Sequence, residues 1–457
     1  MTLNIALNNG LAVAMYVIFG LIFLGSLTML GLTLNEFIKK EEDATTIFKG
    51  KHRLISLSVL IGGISFMLLF LPFMLNVTTA WHGVMIGLGS FFFMTAFLKF
   101  VAAFTLHYYK FNLVNVYVKQ SKIITYLAAM FSLVFLFVFL DGLTFAGIIT
   151  YPLPKGIPFT AEPLVAFYAL FILGGAVLVY FISDHEFYKR YGRHGILENV
   201  FYVAFPAGII GARLWYVIGE WENGGFAADW TKIFAFRDGG LAIMGGALLG
   251  IIVGVWFFIR RRKEYDMFFA ADVIVPTILV AQAVGRWGNF FNQEVYGGII
   301  TNIEAWWFIP EFVKRGMFIA GQYRQPFFLI ESFLNLTGYF VIRFGIGRGL
   351  KKYIKRLDQA FMYLVWYGLV RFIMEPLRDP LFNMGTGGEW SVYNSLIFLI
   401  VGVLLIVLNH IFDFEKQIMK LVHRRKPGHN VETTEVKNED IKEEDNGKAL
   451  EEGKKDE

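Results

Sequence analysis

The chain has 457 residues, 56% of them apolar, with 49 Phe, no Cys and a formal charge of +5. A cysteine-free chain has no disulfide framework, no Cys nucleophile and no Cys-ligated metal or iron–sulfur site, so any thiol in its chemistry comes from a partner. The apolar share exceeds that of a soluble domain, and it recurs in runs of about 20 residues, the length that crosses a hydrocarbon core. The predicted fold class is an all-α polytopic membrane protein, with the lipid bilayer as its first partner.

Eleven spans are predicted, near residues 11–34, 54–75, 83–106, 122–140, 162–184, 197–218, 240–259, 267–284, 326–344, 358–374 and 391–411. The opening MTLNIALNNG has no basic region ahead of the first apolar run, so that run is read as a retained anchor and not a cleaved signal. The basic connections NEFIKKEEDATTIFKGKHR, HYYKFNLVNVYVKQSK, HEFYKRYGRH, RRRKEYD and RFGIGRGLKKYIKRLD fall on alternate sides, which marks that side as cytoplasmic. The N-terminus is then outside and the C-terminus inside. Because the positive charge is this topological bias, no nucleic-acid partner is implied.

Three parts are expected: a four-span extension over 1–150, a seven-span core over 151–422, and a charged tail over 423–457 that is too polar to fold alone. No internal repeat links the extension to the core, so an inverted-repeat transporter has no support. The histidines of the second half fall on inner segments, leaving outer-face chemistry there without one.

Against this apolar background, GRWGNFFNQEVYG at residues 285–297 gathers Arg286, Asn289, Asn292 and Glu294 between glycines. On a helix, Arg286, Asn289 and Asn292 share one stripe, at the outer end of the eighth span. An arginine at bilayer depth is costly and is a functional candidate by default. The alternative is that these groups only satisfy one another at an interface. GLVRFIMEPLRDP, at the outer end of the tenth span, places Arg371 and Glu375 one turn apart, with Arg378 a turn further on. Here the alternative is a plain intrahelical ion pair. Two guanidiniums from different helices at headgroup depth suit a phosphate, which their planar forks match, and the most available one is a phospholipid's.

Taken together, these stretches resemble the prolipoprotein diacylglyceryl transferase family. The first is similar to the family signature glycine-arginine-x-glycine-asparagine-phenylalanine-x-asparagine-x-glutamate, with Gly297 at its closing glycine. VAFYALF around Tyr168, ENVFYVAFPAGIIGARLWYV with Arg213, RDGGLAIMGG with Asp238 and Met244, ADVIVP, and YGLVRFIMEPLRDP follow in family order over about residues 160–412. The resemblance implies transfer of the diacylglyceryl group of phosphatidylglycerol to the lipobox cysteine of a prolipoprotein, with no cofactor and no metal, at the outer face of a bacterial cytoplasmic membrane. It casts Arg286, Arg371, Glu294 and Glu375 as catalytic, and Arg286, Asn289, Asn292, Gly297, Tyr168, Arg213, Asp238 and Met244 as substrate-binding. For Arg213 and Asp238 the alternative is interfacial anchoring.

Two departures stand out. Met244 occupies the place of a histidine often proposed as the base, and QPFFLIE, residues 325–331, replaces a histidine-proline-serine-glutamine-leucine-tyrosine-glutamate run. The base is then Glu294, Glu375 or the arginine field acting on the thiol, whose ordinary pKa is about 8.5. The alternatives are a degenerate lipid-binding homologue or, on span number alone, a transporter.

Overall fold

The computed structural model describes residues 9–39, 44–77, 79–109, 116–158, 163–221, 226, 229–234, 240, 242–382 and 389–424. All but the first two residues of the expected tail lie outside that set. Residues Met1–Val407 form one compact unit and Leu408–Glu457 a second.

The first unit opens with α1 (Asn9–Lys39), α2 (Ala44–Leu69), the short α3 (Leu71–Asn76), α4 (Ala80–Tyr109) and α5 (Val116–Phe145). Pro72, in the first turn of α3, sits where the chain breaks from α2, as its missing N–H allows. α4 and α5 run close together because each is small at the crossing. A Cβ on Gly89 would lie 2.7 Å from the Phe139 nitrogen, and one on Gly142 2.9 Å from that of Ile86. After a two-stranded hairpin, β1 (Gly156–Pro158) with β2 (Pro163–Ala166), come α6 (Phe167–Tyr191), α7 (Ile196–Gly219), α8 (Ile243–Arg260) and α9 (Met267–Asn292). The connection after α9 carries α10 (Glu311–Gly316) and the hairpin β3 (Phe318–Ile319) with β4 (Gln322–Tyr323). α11 (Phe327–Phe340) continues through π-helical turns at Val341–Ile346 into α12 (Gly347–Gly349), and α13 (Asp358–Met374) and α14 (Glu389–Phe412) follow.

Nine helices among the described residues are long and apolar enough to cross a membrane, so the chain is an all-α polytopic membrane protein with two small hairpins in its connections. The other two expected spans, 54–75 and 240–259, fall on the shorter apolar stretches Leu54–Leu69 and Gly245–Arg260.

α9 is the hub. Half of its apolar window is buried, the largest share of any span, and it packs against α6, α11 and α13. Its start is capped by Asp266, whose carboxylate accepts from the Phe268 and Phe269 nitrogens. One turn on, Asp272 accepts from Leu357 and Ala360 N–H at 2.7 and 3.2 Å, which seats the start of α13 against α9. Around that end lie Arg343–Glu186 at 2.6 Å, Arg190–Asp266 at 2.8 Å and His194–Asp184 at 2.7 Å. Charge at one end of the hub is thus consumed in fastening helices together.

Glycines set the other crossings. A Cβ on Gly288 would meet the Tyr168 ring at 2.6 Å, and one on Gly175 the Ala281 carbonyl at 2.9 Å, so α6 lies directly on α9. Gly208 and Gly211 of α7 face Gly246 and Gly245 of α8, the small-residue contact that lets membrane helices approach closely. In the second unit, one residue separates the end of α14 from α15 (Phe414–Arg424), where Asn409 Oδ1 accepts from Phe414 N–H at 3.2 Å.

The α7–α8 crossing is testable. The Cβ of Gly211→Val would fall 2.4 Å from the Gly245 carbonyl, so thermal unfolding in detergent should show a loss of about 1–3 kcal/mol. A variant as stable as the parent would mean the helices do not cross there.

Candidate active site

The signature lies on the last turns of the hub helix and the turn after it. α9 runs on to Asn292, so Arg286, Asn289 and Asn292 do share a stripe. Gln293 then adopts a left-handed conformation, φ 53°, and its N–H bonds back to Asn289 and Phe290 carbonyls, ending the helix. That reversal brings Glu294 under the stripe. Its carboxylate oxygen accepts from Asn289 Nδ2 at 3.0 Å and Asn292 Nδ2 at 3.3 Å, while Asn289 Oδ1 accepts weakly from Arg286 Nη1 at 3.4 Å.

The second motif joins the first through a residue outside both. Glu331, on α11, is 1% exposed, and its carboxylate takes Arg286 Nε at 2.5 Å and lies 3.6 Å from Arg378 Nη2. Arg378 also lies 3.2 Å from Glu375, which is paired at the same distance with Arg371. The intrahelical Arg371–Glu375 pair expected as the plainer reading is therefore present, but as one link in a chain of three guanidiniums and two carboxylates. Burial makes that chain consequential: Glu375 is 2% exposed and Arg378 8%, whereas the Arg286 and Arg371 side chains keep about a fifth of their surface open.

This network is not closed on itself. The buried atoms Arg371 Nη1, Arg378 Nη2, Glu331 Oε1 and Glu375 Oε2 have ion-pair neighbours without hydrogen-bond geometry, and Arg378 Nε and Glu375 Oε1 likewise make no hydrogen bond among the described residues. Buried polar groups left in this way cost free energy. Within the ion-paired network, three guanidiniums over two carboxylates leave one positive charge in excess.

The connection between α9 and α11 closes over this cluster. Gly297 N–H donates to Gln325 O at 3.1 Å and Gln325 N–H to Gly298 O at 3.0 Å, and Gly297 and Arg378 form an isolated bridge. Gly297 has no room for a side chain, since a Cβ would sit 2.1 Å from the Phe327 ring. Arg324 pairs with Asp379 at 2.6 Å and lies over the Tyr296 ring, tying the connection to the segment after α13.

The remaining expected residues divide. Tyr168 packs on Gly288, within electrostatic range of Glu294 and Arg286. Arg213 stands apart from the cluster's bonds. Its Nε, Nη1 and Nη2 donate to the carbonyls of Ile233, Gly240 and Lys232 at 2.9, 3.0 and 2.5 Å, so it clasps the loop between α7 and α8. Asp238, in that loop, and the side chain of Met244, at the start of α8, lie outside the described residues. Sequence reading passed over Glu331 and left Arg378 without a role. The signal for Glu331 was a carboxylate inside an apolar span, which demands a partner.

A buried cluster of arginines and carboxylates thus sits where the ends of α9 and α13 meet α11. The profile of the prolipoprotein diacylglyceryl transferase family matches residues 158–408, and the chain belongs to that family. It is a membrane transferase of lipoprotein biosynthesis. Over 248 residues it is 38% identical to the phosphatidylglycerol–prolipoprotein diacylglyceryl transferase of Lactococcus lactis subsp. cremoris (strain MG1363), an alignment covering 54% of this chain and 91% of that one. The enzymes of the same name from Streptococcus suis (strain 05ZYH33) and Streptococcus mutans serotype c (strain ATCC 700610 / UA159) are 36% and 35% identical, covering 88% and 94% of their lengths and 53% and 55% of this chain.

Removing one member of a buried charge network strands its partners. Glu331→Leu leaves Arg286 and Arg378 short of their shared carboxylate, and thermal unfolding should show a loss of about 3 kcal/mol or more. An unchanged transition would mean the carboxylate does not hold the two guanidiniums together.

Proposed function

We propose that the protein transfers the diacylglyceryl group of phosphatidylglycerol to the lipobox cysteine of prolipoproteins, at the outer face of a bacterial cytoplasmic membrane. The single observation that carries this reading is the Arg286–Glu331–Arg378–Glu375–Arg371 network, buried yet short of acceptors and one charge in excess. A phosphodiester seated against the partly open Arg286 and Arg371 side chains would neutralise the excess.

The reaction sets the task for each group. The cysteine sulfur attacks the glycerol carbon that bears the phosphodiester, a carbon–sulfur bond forms as the carbon–oxygen bond breaks, and glycerol phosphate leaves with the bonding pair. Charge grows on the departing phosphate, where guanidiniums fixed in a water-poor site lower the barrier without reorganising. Arg286 and Arg371 carry that role, because their heads are partly open where Arg378 is closed in. Glu331 and Glu375 hold the forks in position and keep the cluster from excessive charge.

The thiol proton needs an acceptor. Glu375 is engaged by Arg371 and Arg378, and Glu331 by Arg286 and the same Arg378. Glu294 is held by the two asparagine amides and, among the described residues, has no ion pair. We assign the proton to Glu294, oriented by Asn289 and Asn292. Tyr168 and Gly297 shape the walls beside it. Arg213 positions the loop that carries Asp238 and leads into α8, where Met244 stands in the place of the family's histidine. The cysteine nucleophile belongs to the acceptor peptide, so the absence of cysteine in the chain is no obstacle.

Arg286→Gln or Arg371→Gln should slow glycerol phosphate release from phosphatidylglycerol, measured with a lipobox peptide, by about 100-fold or more. Lysine should rescue poorly, since it lacks the fork. Near-parental turnover in either glutamine variant would remove the phosphate clamp from the account.

Glu294→Gln should lose most activity at neutral pH and regain part of it as pH rises toward the thiol's own value of about 8.5, where thiolate forms unaided. Glu375→Gln should lose activity without that alkaline recovery. The reverse pattern would move the proton to Glu375.

A further inference from the structure

The residues before the family match have no part in the reaction as described, yet the last of their helices reaches the signature. Asp141 lies near the outer end of α5, within a stretch that is otherwise apolar enough to span a membrane. Its carboxylate accepts from the Phe312 N–H at 2.8 Å, at the start of α10. Nearby, the Thr144 carbonyl accepts from Arg315 Nη1 at 3.3 Å, and the Tyr151 hydroxyl donates to the Phe312 carbonyl at 3.0 Å. Phe137 of the same helix lies 5.9 Å from Trp287 of the signature, ring centre to ring centre.

The opposite side of α10 rests on the signature itself. The Phe290 ring fills the space that a Cβ on Gly316 would need, 2.4 Å away, and stacks edge-on with Phe312 at 5.4 Å. Gln293 Nε2 donates to the Gly316 carbonyl at 3.1 Å. Gln293 is the left-handed residue that reverses the chain, and Glu294 is next. α10 is therefore a wedge between α5 and the turn that presents the proposed proton acceptor. Six residues are too few to hold a helix without outside partners.

We propose that Asp141 is a positioning residue: by holding α10 from the N-terminal helices, it fixes the Gln293–Glu294 turn and so the Glu294 carboxylate. The effect on the turn rests on this geometry alone, and the effect on rate rests also on the function proposed above.

The test compares full-length Asp141→Leu and Asp141→Asn with the parent, by hydrogen exchange and by transfer from phosphatidylglycerol vesicles to a lipobox peptide. Loss of a helix-capping acceptor should speed exchange of the 311–317 and Glu294 amides by roughly tenfold in Asp141→Leu. Turnover should fall by roughly tenfold, with the KM for phosphatidylglycerol held within about twofold, because the phosphate clamp is untouched. Asp141→Asn should restore both, since its Oδ1 still accepts. Unchanged exchange at Glu294 in the leucine variant, or faster exchange with parental turnover, overturns the proposal. If the parent itself shows no transfer, the proposed function fails, and exchange at Glu294 alone decides whether the strut exists.

Discussion

Charge buried among apolar helices must be paired, and the need to pair it organises this molecule. At one end of α9, carboxylates at 184, 186, 266 and 272 are used up in tying helices together through arginines, a histidine and backbone N–H groups. At the other end the pairing is left incomplete. Glu331 and Glu375 stitch Arg286, Arg371 and Arg378 into one chain across α9, α11, α13 and the segment after it, but among the described residues Arg371 Nη1 and Arg378 Nε and Nη2 make no hydrogen bond. The proposed ligand site rests on this contrast between the two ends of one helix.

The approach of helices to that place depends on missing side chains. Tyr168 reaches the signature because Gly288 has no Cβ, and the excursion after α9 comes down on Phe327 because Gly297 has none. Both glycines belong to the stretch that carries the polar residues, so one short segment holds both the polar cluster and the clearance around it. The left-handed turn at Gln293 completes it by folding Glu294 back under Asn289 and Asn292.

Much of this was legible in the sequence, for definite reasons. Runs of apolar residues report membrane spans directly, and polar residues three apart at the end of such a run report a shared face, as Arg286, Asn289 and Asn292 show. What escaped were the links between distant segments. Glu331 stands 45 residues from Arg286, in a stretch that reads as a departure from the family pattern, and no periodicity ties them. Arg213 holds three backbone carbonyls, a use that depends on where a loop passes and not on local pattern. The N-terminal helices read as a separate unit because their apolar faces look alike in sequence; the contact of Asp141 with Phe312 joins residues 171 apart.

A structure of the protein with phosphatidylglycerol bound tests the account most directly. The account predicts the lipid phosphate within hydrogen-bonding distance of the Arg286 and Arg371 guanidiniums, its phosphate-bearing glycerol carbon open to a thiol beside Glu294. A phosphate seated elsewhere, with the three arginines and two glutamates still paired only among themselves, would contradict it.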